Sequence, residues 1–365
     1  MTAIERVTVH EIRYPLPRPM LSRFGALDVI YNVVAEVAAA GQTGVGYTWG
    51  FDDSAATRIR ELTVSLARTL PGTDGADLRA RTCDLQATAA ALGPGPEPVM
   101  AAAALDTALW DLSARLRGLP LSVALGSPPA TRAMYGSGGS FSLSPSELAD
   151  EAVSFQDRGY AGYKLRVGHD DLGTDIARIR AVKERVRPGF FVAIDANQGW
   201  SRDQAARACD RLADAGLAWI EEPLSAADIE GLAGLHRRTA IPIAAGETLP
   251  GTEPNADLVR ERVVDIFQPD IMNCGGVTPF LELTELAAQH QVQVMPHLFA
   301  ELGAHLMAGI PTGTLIEHLD GWFEHLFSRS PVQRSGTVTA TADPGFGLEL
   351  NRETLRRYGR ARTEI

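Results

Sequence analysis

Six acidic or basic residues in the second half of the chain each follow a short apolar run. The intervals between successive members are 26, 26, 23, 27 and 20 residues, which fits one strand, one loop and one helix each. In chain order the six residues are Asp195, Glu221, Glu247, Asp270, His297 and Glu317. Carboxylates in such a series are candidate metal ligands, and a carboxylate beside a histidine is typical of acid–base catalysis.

The first three of these residues, Asp195, Glu221 and Glu247, would repel one another if they met without a cation. Oxygen ligands suit a hard ion such as Mg²⁺, which keeps coordination positions for water or substrate oxygens. A single carboxylate at a strand end is as often a helix cap or part of a rim salt bridge. Three at matching positions favour a metal site, and we predict that they bind Mg²⁺.

Asp270 and His297 end neighbouring apolar runs, which predicts that their side chains lie side by side. A carboxylate next to an imidazole orients the ring and raises its basicity, so that the ring exchanges protons near neutral pH. Alone, His297 would be interpreted as a structural histidine. With Asp270 beside it and the three carboxylates opposite, we predict a general base or acid.

Two cationic residues precede this series. Lys164 and Arg166 are two positions apart in the run GYKLRVG, so in a strand both side chains point to the same face. Of the 34 lysines and arginines in the chain, only Lys164 and Lys183 are lysines. Because cations inside a barrel need partners, we predict that Lys164 and Arg166 face the anionic site.

The apolar runs that carry these residues recur with helical segments between them, a pattern that predicts a parallel α/β barrel. The active site of such a barrel lies at the carboxyl ends of its strands. The eight predicted strands lie in the segments RAMYGSGGS, GYKLRVG, FFVAIDAN, AWIEEP, IPIAAGE, VDIFQPD, VQVMPH and TLIE. We therefore predict an α/β fold with a TIM-type (β/α)7β barrel over residues 126–330.

The segments on either side of the barrel have a different pattern. Residues 1–125 are predicted to form an α+β capping domain, and residues 331–365 to return to it. The predicted elements are three strands within 4–14 and 29–48, a loop rich in proline and glycine between the first two, and helices over 54–70, 77–92 and 99–116.

The composition narrows the class of protein further. A net charge of −11 without a basic run argues against a nucleic-acid partner. No apolar stretch has the length of a membrane span, and the N-terminus does not resemble a signal peptide. Cys83, Cys209 and Cys274 lack metal or disulfide spacing, as expected in a reducing cytoplasm. We therefore expect a cytoplasmic enzyme that acts on a small molecule.

Together these residues resemble the enolase superfamily and, within it, the mandelate racemase subgroup. The resemblance extends over essentially the whole chain. The motifs that carry it are Lys164-x-Arg166, Asp195-x-Asn197, Ile220-Glu221-Glu222-Pro223, Gly246-Glu247, Gln268-Pro269-Asp270, Gly275-Gly276-Val277-Thr278 and Pro296-His297-Leu298-Phe299, extended by Glu301, Ala304-His305-Leu306 and Glu317. It implies a Mg²⁺-dependent enzyme that removes the α-proton of a carboxylate substrate, and a homo-oligomer of two to eight subunits.

The resemblance also implies roles for individual residues. Lys164 would neutralise the substrate carboxylate as it becomes an enediolate, and a protonated Glu317 would donate a hydrogen bond to it. Asn197 would contact the α-oxygen, and Ser137 is a further candidate contact for the carboxylate. His297, oriented by Asp270, would serve one face of the α-carbon.

Arg166 departs from the racemase pattern, in which a second lysine at this position is the base on the opposite face. A guanidinium stays protonated far above neutral pH and is a poor proton acceptor. Racemisation needs a base on each face, whereas dehydration of a 2,3-dihydroxy acid needs one base and one acid. We therefore favour an acid-sugar dehydratase over a 2-hydroxy-acid racemase or epimerase.

Two further functions remain as alternatives. A cycloisomerase or dipeptide epimerase of this family would carry a lysine on the sixth strand, but none lies between Gln268 and Thr284. A non-catalytic barrel stabilised by metal would not use Asp270, His297 and Glu317, although all three residues are present.

Specificity is expected to come from the capping domain, through the segments Arg18 to Phe24 and Trp49 to Phe51. Loops of this kind close over a barrel mouth and exclude water. Arg23, like Arg18, could bind a distal carboxylate, whereas Phe24 and Trp49 would suit an apolar or sugar face.

Overall fold

The N-terminal part of the chain forms a four-stranded antiparallel sheet, in which the first three strands of the chain follow one another and the C-terminal strand pairs with the first. The computed structural model describes residues 2–75 and 77–365. The elements of this part are β1 (Ile4–Ser22), β2 (Gly25–Ala39), β3 (Gln42–Gly50), α1 (Asp53–Ala67), α2 (Leu78–Ala91), α3 (Pro96–Leu116) and the short α4 (Leu121–Ala124), with β16 (Gly359–Glu364) from the C-terminus. The capping domain predicted from the sequence is therefore present.

Close packing of helix α3 on strand β3 explains the alanine-rich and glycine-rich sequences of these two elements. A Cβ atom at Gly44 would lie 2.1 Å from Ala108 O, and one at Gly46 would lie 2.0 Å from Ala104 O. Both positions therefore require glycine, and the small residues of α3 allow the helix backbone to approach the sheet.

The predicted loop between the first two strands is wrong. Strands β1 and β2 extend through the residues of the predicted loop and form a long hairpin, with Ser22 paired to Gly25 at its tip. The pairing is interrupted between Pro15 and Met20, where prolines cannot donate hydrogen bonds to the ladder. This hairpin arm, residues 15–28, extends over the mouth of the barrel.

Eight parallel strands form the barrel, and seven helices connect them within the described part of the chain. The strands are β4 (Thr131–Gly138), β5 (Gly162–Arg166), β6 (Phe191–Asp195), β7 (Ile220–Glu221), β8 (Ile243–Ala245), β9 (Ile266–Phe267), β10 (Gln293–Val294) and β11 (Ile316–His318). The helices are α5 (Pro145–Asp157), α6 (Leu172–Arg185), α7 (Arg202–Leu212), α8 (Ile229–Arg238), α9 (Thr252–Arg260), α10 (Val277–Gln289) and α11 (Ala300–Leu306).

The barrel closes in two places. Strand β11 pairs in parallel with β4, for example Glu317 with Tyr135. Val294 of β10 forms a parallel bridge with Gly313, just before β11. All eight predicted strand segments are therefore strands of one closed sheet, and the predicted (β/α)7β barrel is confirmed.

A small apolar cluster fills the barrel interior beneath the carboxyl ends of the strands. Its buried members lie in or directly beside six of the eight strands, β4 and β6 to β10: Tyr135, Ala193, Trp219, Ala244, Ile266 and Met295. The polar residues at the mouth therefore lie above a packed apolar layer.

The C-terminal segment contacts both parts of the molecule. Its elements are β13 (Val332–Arg334), β14 (Thr337–Thr339), β15 (Glu349–Leu350) and α12 (Arg352–Tyr358), followed by β16. Strand β15 pairs with β12 (Phe327–Arg329), which directly precedes the segment. Strand β14 pairs with β4 of the barrel, and β16 pairs with β1 of the capping sheet. We keep the division at residues 1–125, 126–330 and 331–365 as a proposal.

None of the helices in residues 2–75 and 77–365 combines the length and the apolar character that are needed to cross a bilayer.

Candidate active site

The three carboxylates predicted as metal ligands meet at the carboxyl ends of β6, β7 and β8. Asp195 and Glu221 end their strands, and Glu247 lies two residues after β8. One ligand oxygen from each lies within 4.8 Å of the others. Gly246 turns the chain here with φ of +136°, and a Cβ at this position would lie 2.8 Å from the ring of Phe267. Glycine therefore allows Glu247 to reach the other two residues.

The electrostatics of this triad fit a divalent cation. Burial and the neighbouring carboxylates raise the pKa of Asp195 and of Glu247. Glu247 Oε2 is buried and has no hydrogen-bond donor among the described residues. Three buried carboxylates whose ligand oxygens lie close together, one of them without a hydrogen bond, form a donor set that suits Mg²⁺. The residues present therefore fit the ion that the sequence predicted.

Neighbouring side chains hold the carboxylates in place. Asn197 donates to Asp195 Oδ2 at 2.7 Å, which is its observed contact in the site. Glu221 Oε2 accepts from Gln268 Nε2 at 2.7 Å and from Trp219 Nε1 at 3.1 Å. The sequence analysis assigned no role to Gln268 or Trp219. Two signals were available: Gln268 belongs to the motif Gln268-Pro269-Asp270, and Trp219 is two positions before Glu221, so both side chains point to the same face.

Lys164 lies among the carboxylates, 1% exposed. Its Nζ contacts Glu221 Oε1, lies 2.8 Å from Glu317 Oε1 and 4.0 Å from Asp195 Oδ2. Burial lowers the pKa of Lys164, but Glu221 and Glu317 raise it more, to well above its ordinary value. The amine is therefore an ammonium that supplies positive charge beside the triad.

Glu317 lies 2.8 Å from Lys164 and 3.9 Å from His297. Burial raises the pKa of Glu317, but the charges of Lys164 and His297 outweigh burial and lower it to about 2. The Glu317 carboxyl group accepts a hydrogen bond from Leu298 N at 3.3 Å, and its role as a protonated donor stays a prediction. Ser137, the residue that pairs with Lys164 in β4 and β5, is 3% exposed and lies beside Glu317.

Asp270 and His297 are paired as predicted. His297 Nδ1 lies 2.7 Å from Asp270 Oδ2, and Asp270 Oδ1 accepts from the backbone N–H groups of Met272 and Asn273. His297 Nε2 lies 3.4 Å from Glu247 Oε2. Burial lowers the pKa of His297, whereas its hydrogen bond to the Asp270 carboxylate and the charge of Glu317 raise it above its ordinary value. The hydrogen bond at Nδ1 thus orients the imidazole, and Nε2 can exchange a proton.

Several backbone positions next to these side chains are strained. Asn197, Glu222 and Leu298, which follow Asp195, Glu221 and His297 closely, have φ values of +43°, +39° and +52°. Such values are uncommon outside glycine and cluster at functional sites. The three positions therefore mark sharp turns of the backbone directly after the strand ends that carry the site.

A cavity of about 350 Å³ lies between this site and the capping domain. Its floor is formed by Arg166, Asn197, Glu247 and His297, together with Thr248 and Asn273. Arg166 is held by a hydrogen bond of 2.5 Å from Nη1 to Gly138 O. The predicted cation of β5 therefore does face the site.

Some of the capping-domain residues predicted to contact the substrate line the cavity, and others do not. The wall of the cavity opposite the floor contains Met20, Ser22, Phe24, Gly25, Ala26, Leu27, Trp49, Phe51, Asp52 and Trp322. Phe24 and Trp49 thus occupy the predicted place. Arg23 does not line the cavity, because its Nη1 points to Gly168 O at 3.5 Å. Met20, Leu27, Asp52 and Trp322 were not predicted, since their place depends on the course of the hairpin arm and of the turn after β11.

A capping domain over a (β/α)7β barrel, with an acidic triad, a buried lysine and a His–Asp pair at the mouth, defines a class of enzymes that act on carboxylate substrates. The model of the mandelate racemase / muconate lactonizing enzyme N-terminal domain matches residues 4–126. The model of the enolase C-terminal domain-like family matches residues 147–354. The chain therefore belongs to the enolase superfamily, in its mandelate racemase and muconate lactonizing enzyme branch.

Relatives of known name support this assignment. The chain is 33% identical over 332 residues to L-talarate/galactarate dehydratase of Salmonella typhimurium, covering 90% of this chain and 83% of that protein. It is 30% identical to 3,6-anhydro-alpha-L-galactonate cycloisomerase of Streptomyces coelicolor over 97% of this chain and 99% of that protein. A crystal structure of L-talarate dehydratase from Polaromonas sp. JS666 with Mg and L-glucarate superposes with a TM-score of 0.93, at 32% identity, over 100% of this chain and 99% of that one.

Proposed function

We propose that the protein dehydrates a 2,3-dihydroxy acid to a 2-oxo-3-deoxy acid in a Mg²⁺-dependent reaction. The observation that carries the proposal is that the floor of one cavity contains one oriented imidazole, His297, and an arginine, Arg166. One residue of the two can accept a proton at neutral pH, which suits an elimination and not a two-base racemisation. The dehydratases named above support the same chemistry.

Asp195, Glu221 and Glu247 would hold the metal ion. When bound, Mg²⁺ supplies positive charge that binds the substrate carboxylate and acidifies its α-proton. Gln268 and Trp219 keep Glu221 oriented toward this position through their bonds to Oε2. Asn197, which is bonded to Asp195, lines the cavity floor and would contact the α-oxygen.

His297 would remove the α-proton at Nε2, because its Nδ1 is engaged by Asp270. The carboxylate of Asp270 stabilises the imidazolium that forms. The ammonium of Lys164 would stabilise the negative charge that develops on the substrate as the enediolate forms. Both contributions grow toward the transition state, so they accelerate the reaction and do not merely tighten binding.

Loss of the 3-hydroxyl group would complete the reaction. The C3–O bond breaks, and the proton held by His297 passes to the departing oxygen to give water. The resulting enol loses its hydroxyl proton at C2 and takes up a proton at C3, which gives the 2-oxo acid. Arg166 would stay charged throughout and position anionic oxygen, while its own bond to Gly138 O fixes the guanidinium.

The proposal is tested by incubating the protein and MgCl₂ with a panel of 2,3-dihydroxy acids and detecting 2-oxo acids as semicarbazones. We expect product from at least one acid, none in EDTA, and loss of at least 1000-fold in kcat for His297→Asn. His236→Asn, at an exposed pair with Asp265, is the matched control and should retain activity. Undiminished dehydration by His297→Asn would exclude His297 as the base.

We further propose that the protein acts in the cytoplasm as a homo-oligomer, with no nucleic-acid partner. The three cysteines are unpaired, and Cys209 and Cys274 are buried, as suits a reducing compartment. Light scattering coupled to size-exclusion chromatography measures the subunit number, and a monomer at micromolar concentration would contradict the oligomer.

A further inference from the structure

The wall of the cavity opposite the catalytic floor is largely aromatic. Phe24 and Phe51 lie 6.4 Å apart between ring centroids, Phe51 and Trp49 4.5 Å, and Trp49 and Trp322 5.3 Å. Phe24 is 58% and Phe51 50% exposed, which is unusual for large apolar side chains. A continuous apolar patch open at a cavity mouth marks a surface that a ligand covers.

Aliphatic side chains complete this wall, since Met20 and Leu27 of the hairpin arm line the same cavity. The wall therefore offers an apolar ligand face-to-edge contacts with rings on one side and methyl groups on the other. Its polar indole nitrogen, Trp49 Nε1, has no hydrogen-bond partner among the described residues. As a neutral donor it adds no positive charge to the wall.

The charges of the wall disfavour a second carboxylate on the ligand. Asp52 lines the cavity, and its carboxylate accepts from Ala55 N and Ser54 Oγ. Among the described residues that line the cavity, Arg166 is the sole lysine or arginine, and it belongs to the floor. Arg23 points to Gly168 instead. A distal carboxylate would thus lie near a negative charge with no cation to pair it.

We propose that the substrate carries a single carboxylate and an apolar or aromatic group at C3, as in 2,3-dihydroxy-3-arylpropanoates. This inference rests on the dehydration proposed above. Removal of the α-proton and of the 3-hydroxyl group would then convert the acid to a 3-aryl-2-oxopropanoate and water. The floor takes the carboxylate, and the aromatic wall takes the aryl group. The substrate class differs from the diacid in the name of the Salmonella relative.

Binding tests the substrate class separately from catalysis. 3-Phenyllactate and malate share a 2-hydroxy acid group, differ in their distal phenyl or carboxylate, and lack a 3-hydroxyl group to eliminate. In calorimetric titrations with MgCl₂ present, we expect 3-phenyllactate to bind at least tenfold more tightly than malate. Equal affinity, tighter binding of malate, or binding of neither would overturn the proposed class.

Turnover then tests the proposed function on the same samples. We expect kcat/KM for 2,3-dihydroxy-3-phenylpropanoate to exceed that for galactarate at least tenfold. If 3-phenyllactate binds preferentially but no dihydroxy acid is dehydrated, the dehydratase proposal fails while the apolar wall keeps its assigned ligand. If galactarate is the better substrate, the dehydratase proposal holds and the substrate class is wrong.

A variant of the wall sharpens the test. Phe24→Arg places a cation in the wall at an exposed position, so the fold should be retained. We expect this variant to bind malate at least tenfold more tightly than the unmodified protein does, and 3-phenyllactate more weakly. Leu92→Arg, 44% exposed and outside the cavity lining, adds the same charge and should change neither affinity. Unchanged preferences in Phe24→Arg would show that the wall does not contact the ligand.

Discussion

Gln268 shows how much a metal site depends on residues that do not themselves bind the ion. Its Nε2 donates to Glu221 Oε2 at 2.7 Å and lies 3.3 Å from the hydroxyl group of Tyr135. Glu221 Oε1 is engaged by Lys164, so both oxygens of this buried carboxylate have donors. The orientation of Glu221 is therefore set by groups from three different strands.

Gln268→Leu keeps the volume of the side chain and removes the donor to Glu221. We expect the dissociation constant for Mg²⁺ to rise by roughly 10–100-fold, as is typical when a partner of a metal ligand is lost. Isothermal titration with MgCl₂ measures this without any substrate. Gln289→Leu, at the exposed end of α10, is the control. An unchanged Mg²⁺ affinity in Gln268→Leu would remove Gln268 from the site.

Arg166 decides between dehydration and racemisation. With mandelate, which has no 3-hydroxyl group, the wild type should exchange the α-proton of one enantiomer for deuterium and racemise little. Arg166→Lys should increase racemisation, because a buried ammonium near other cations loses its proton far more readily than a guanidinium. Polarimetry and proton NMR in D₂O measure the two processes.

Arg207→Lys, an exposed substitution on α7, provides the matched control for this experiment. Efficient racemisation by the wild type would contradict the dehydratase preference and favour the racemase alternative.

At the scale of elements, the hairpin arm covers the site, and the C-terminal return extends the sheet that carries the arm. The arm supplies Met20, Phe24 and Leu27 to the cavity, and β16 extends the sheet from which the arm emerges. An ion-pair cluster joins these elements: Glu36 of β2 lies 2.8 Å from His10 Nε2 of β1 and accepts two hydrogen bonds from Arg352 of α12.

This cluster makes a pH-dependent contribution to stability. Burial raises the pKa of Glu36, but His10 and Arg352 lower it from 4.5 to about 2. A folded-state pKa below the unfolded value stabilises the fold above pH 4.5, and the contribution is lost as the pH falls toward 2. The cluster should therefore hold the C-terminal return firmly at neutral pH.

Glu36→Gln should lower the free energy of unfolding by about 1–2 kcal/mol at pH 6, after allowance for the solvent that reaches the cluster. The difference from wild type should shrink at pH 2.5, where Glu36 is protonated in the unfolded state and only begins to gain a proton in the folded state. Urea unfolding followed by circular dichroism at the two pH values measures it. Glu253→Gln, at a largely exposed carboxylate, should show no such difference. A deficit that is the same at both pH values would argue against the ion pairs.

At the scale of the whole molecule, the capping domain is fixed to the barrel by buried polar contacts. Asp106 of α3, with no exposed surface, accepts hydrogen bonds from the backbone N and the hydroxyl group of Thr278 in α10. The indole of Trp110 donates to the same hydroxyl group at 2.8 Å. These contacts fix one side of the cavity relative to the other.

Thr278→Val preserves the shape of the side chain and leaves Asp106 and Trp110 each without one partner. We expect the free energy of unfolding to fall by about 1–3 kcal/mol, the usual cost of buried polar groups left unpaired. Thermal unfolding by calorimetry measures the change. Thr88→Val, an exposed threonine that bonds only within its own helix, is the control. A variant as stable as the wild type would show that these contacts do not fix the two parts together.

The sequence alone determined the order of the barrel strands and the residues that stand at their ends. This was possible because strand and helix periods are local properties, and because parallel strands bring every carboxyl end to one mouth. Asp195, Glu221, Glu247, Asp270 and His297 could therefore be selected before any distance was known.

The tertiary structure decided what depends on distance and direction between remote parts of the chain. Lys164 lies 2.8 Å from Glu317 across 153 positions of sequence and lowers the pKa of its carboxyl group, which no local pattern indicates. Prolines in the hairpin arm suggested a loop, but β1 and β2 pair on both sides of these prolines. Contacts of the arm with the barrel, such as Leu21 N with Ser140 Oγ, then place Phe24 over the cavity while Arg23 turns away. The charge and shape of the cavity wall follow from these contacts, because electrostatic and packing energies depend on separation in space and not along the chain.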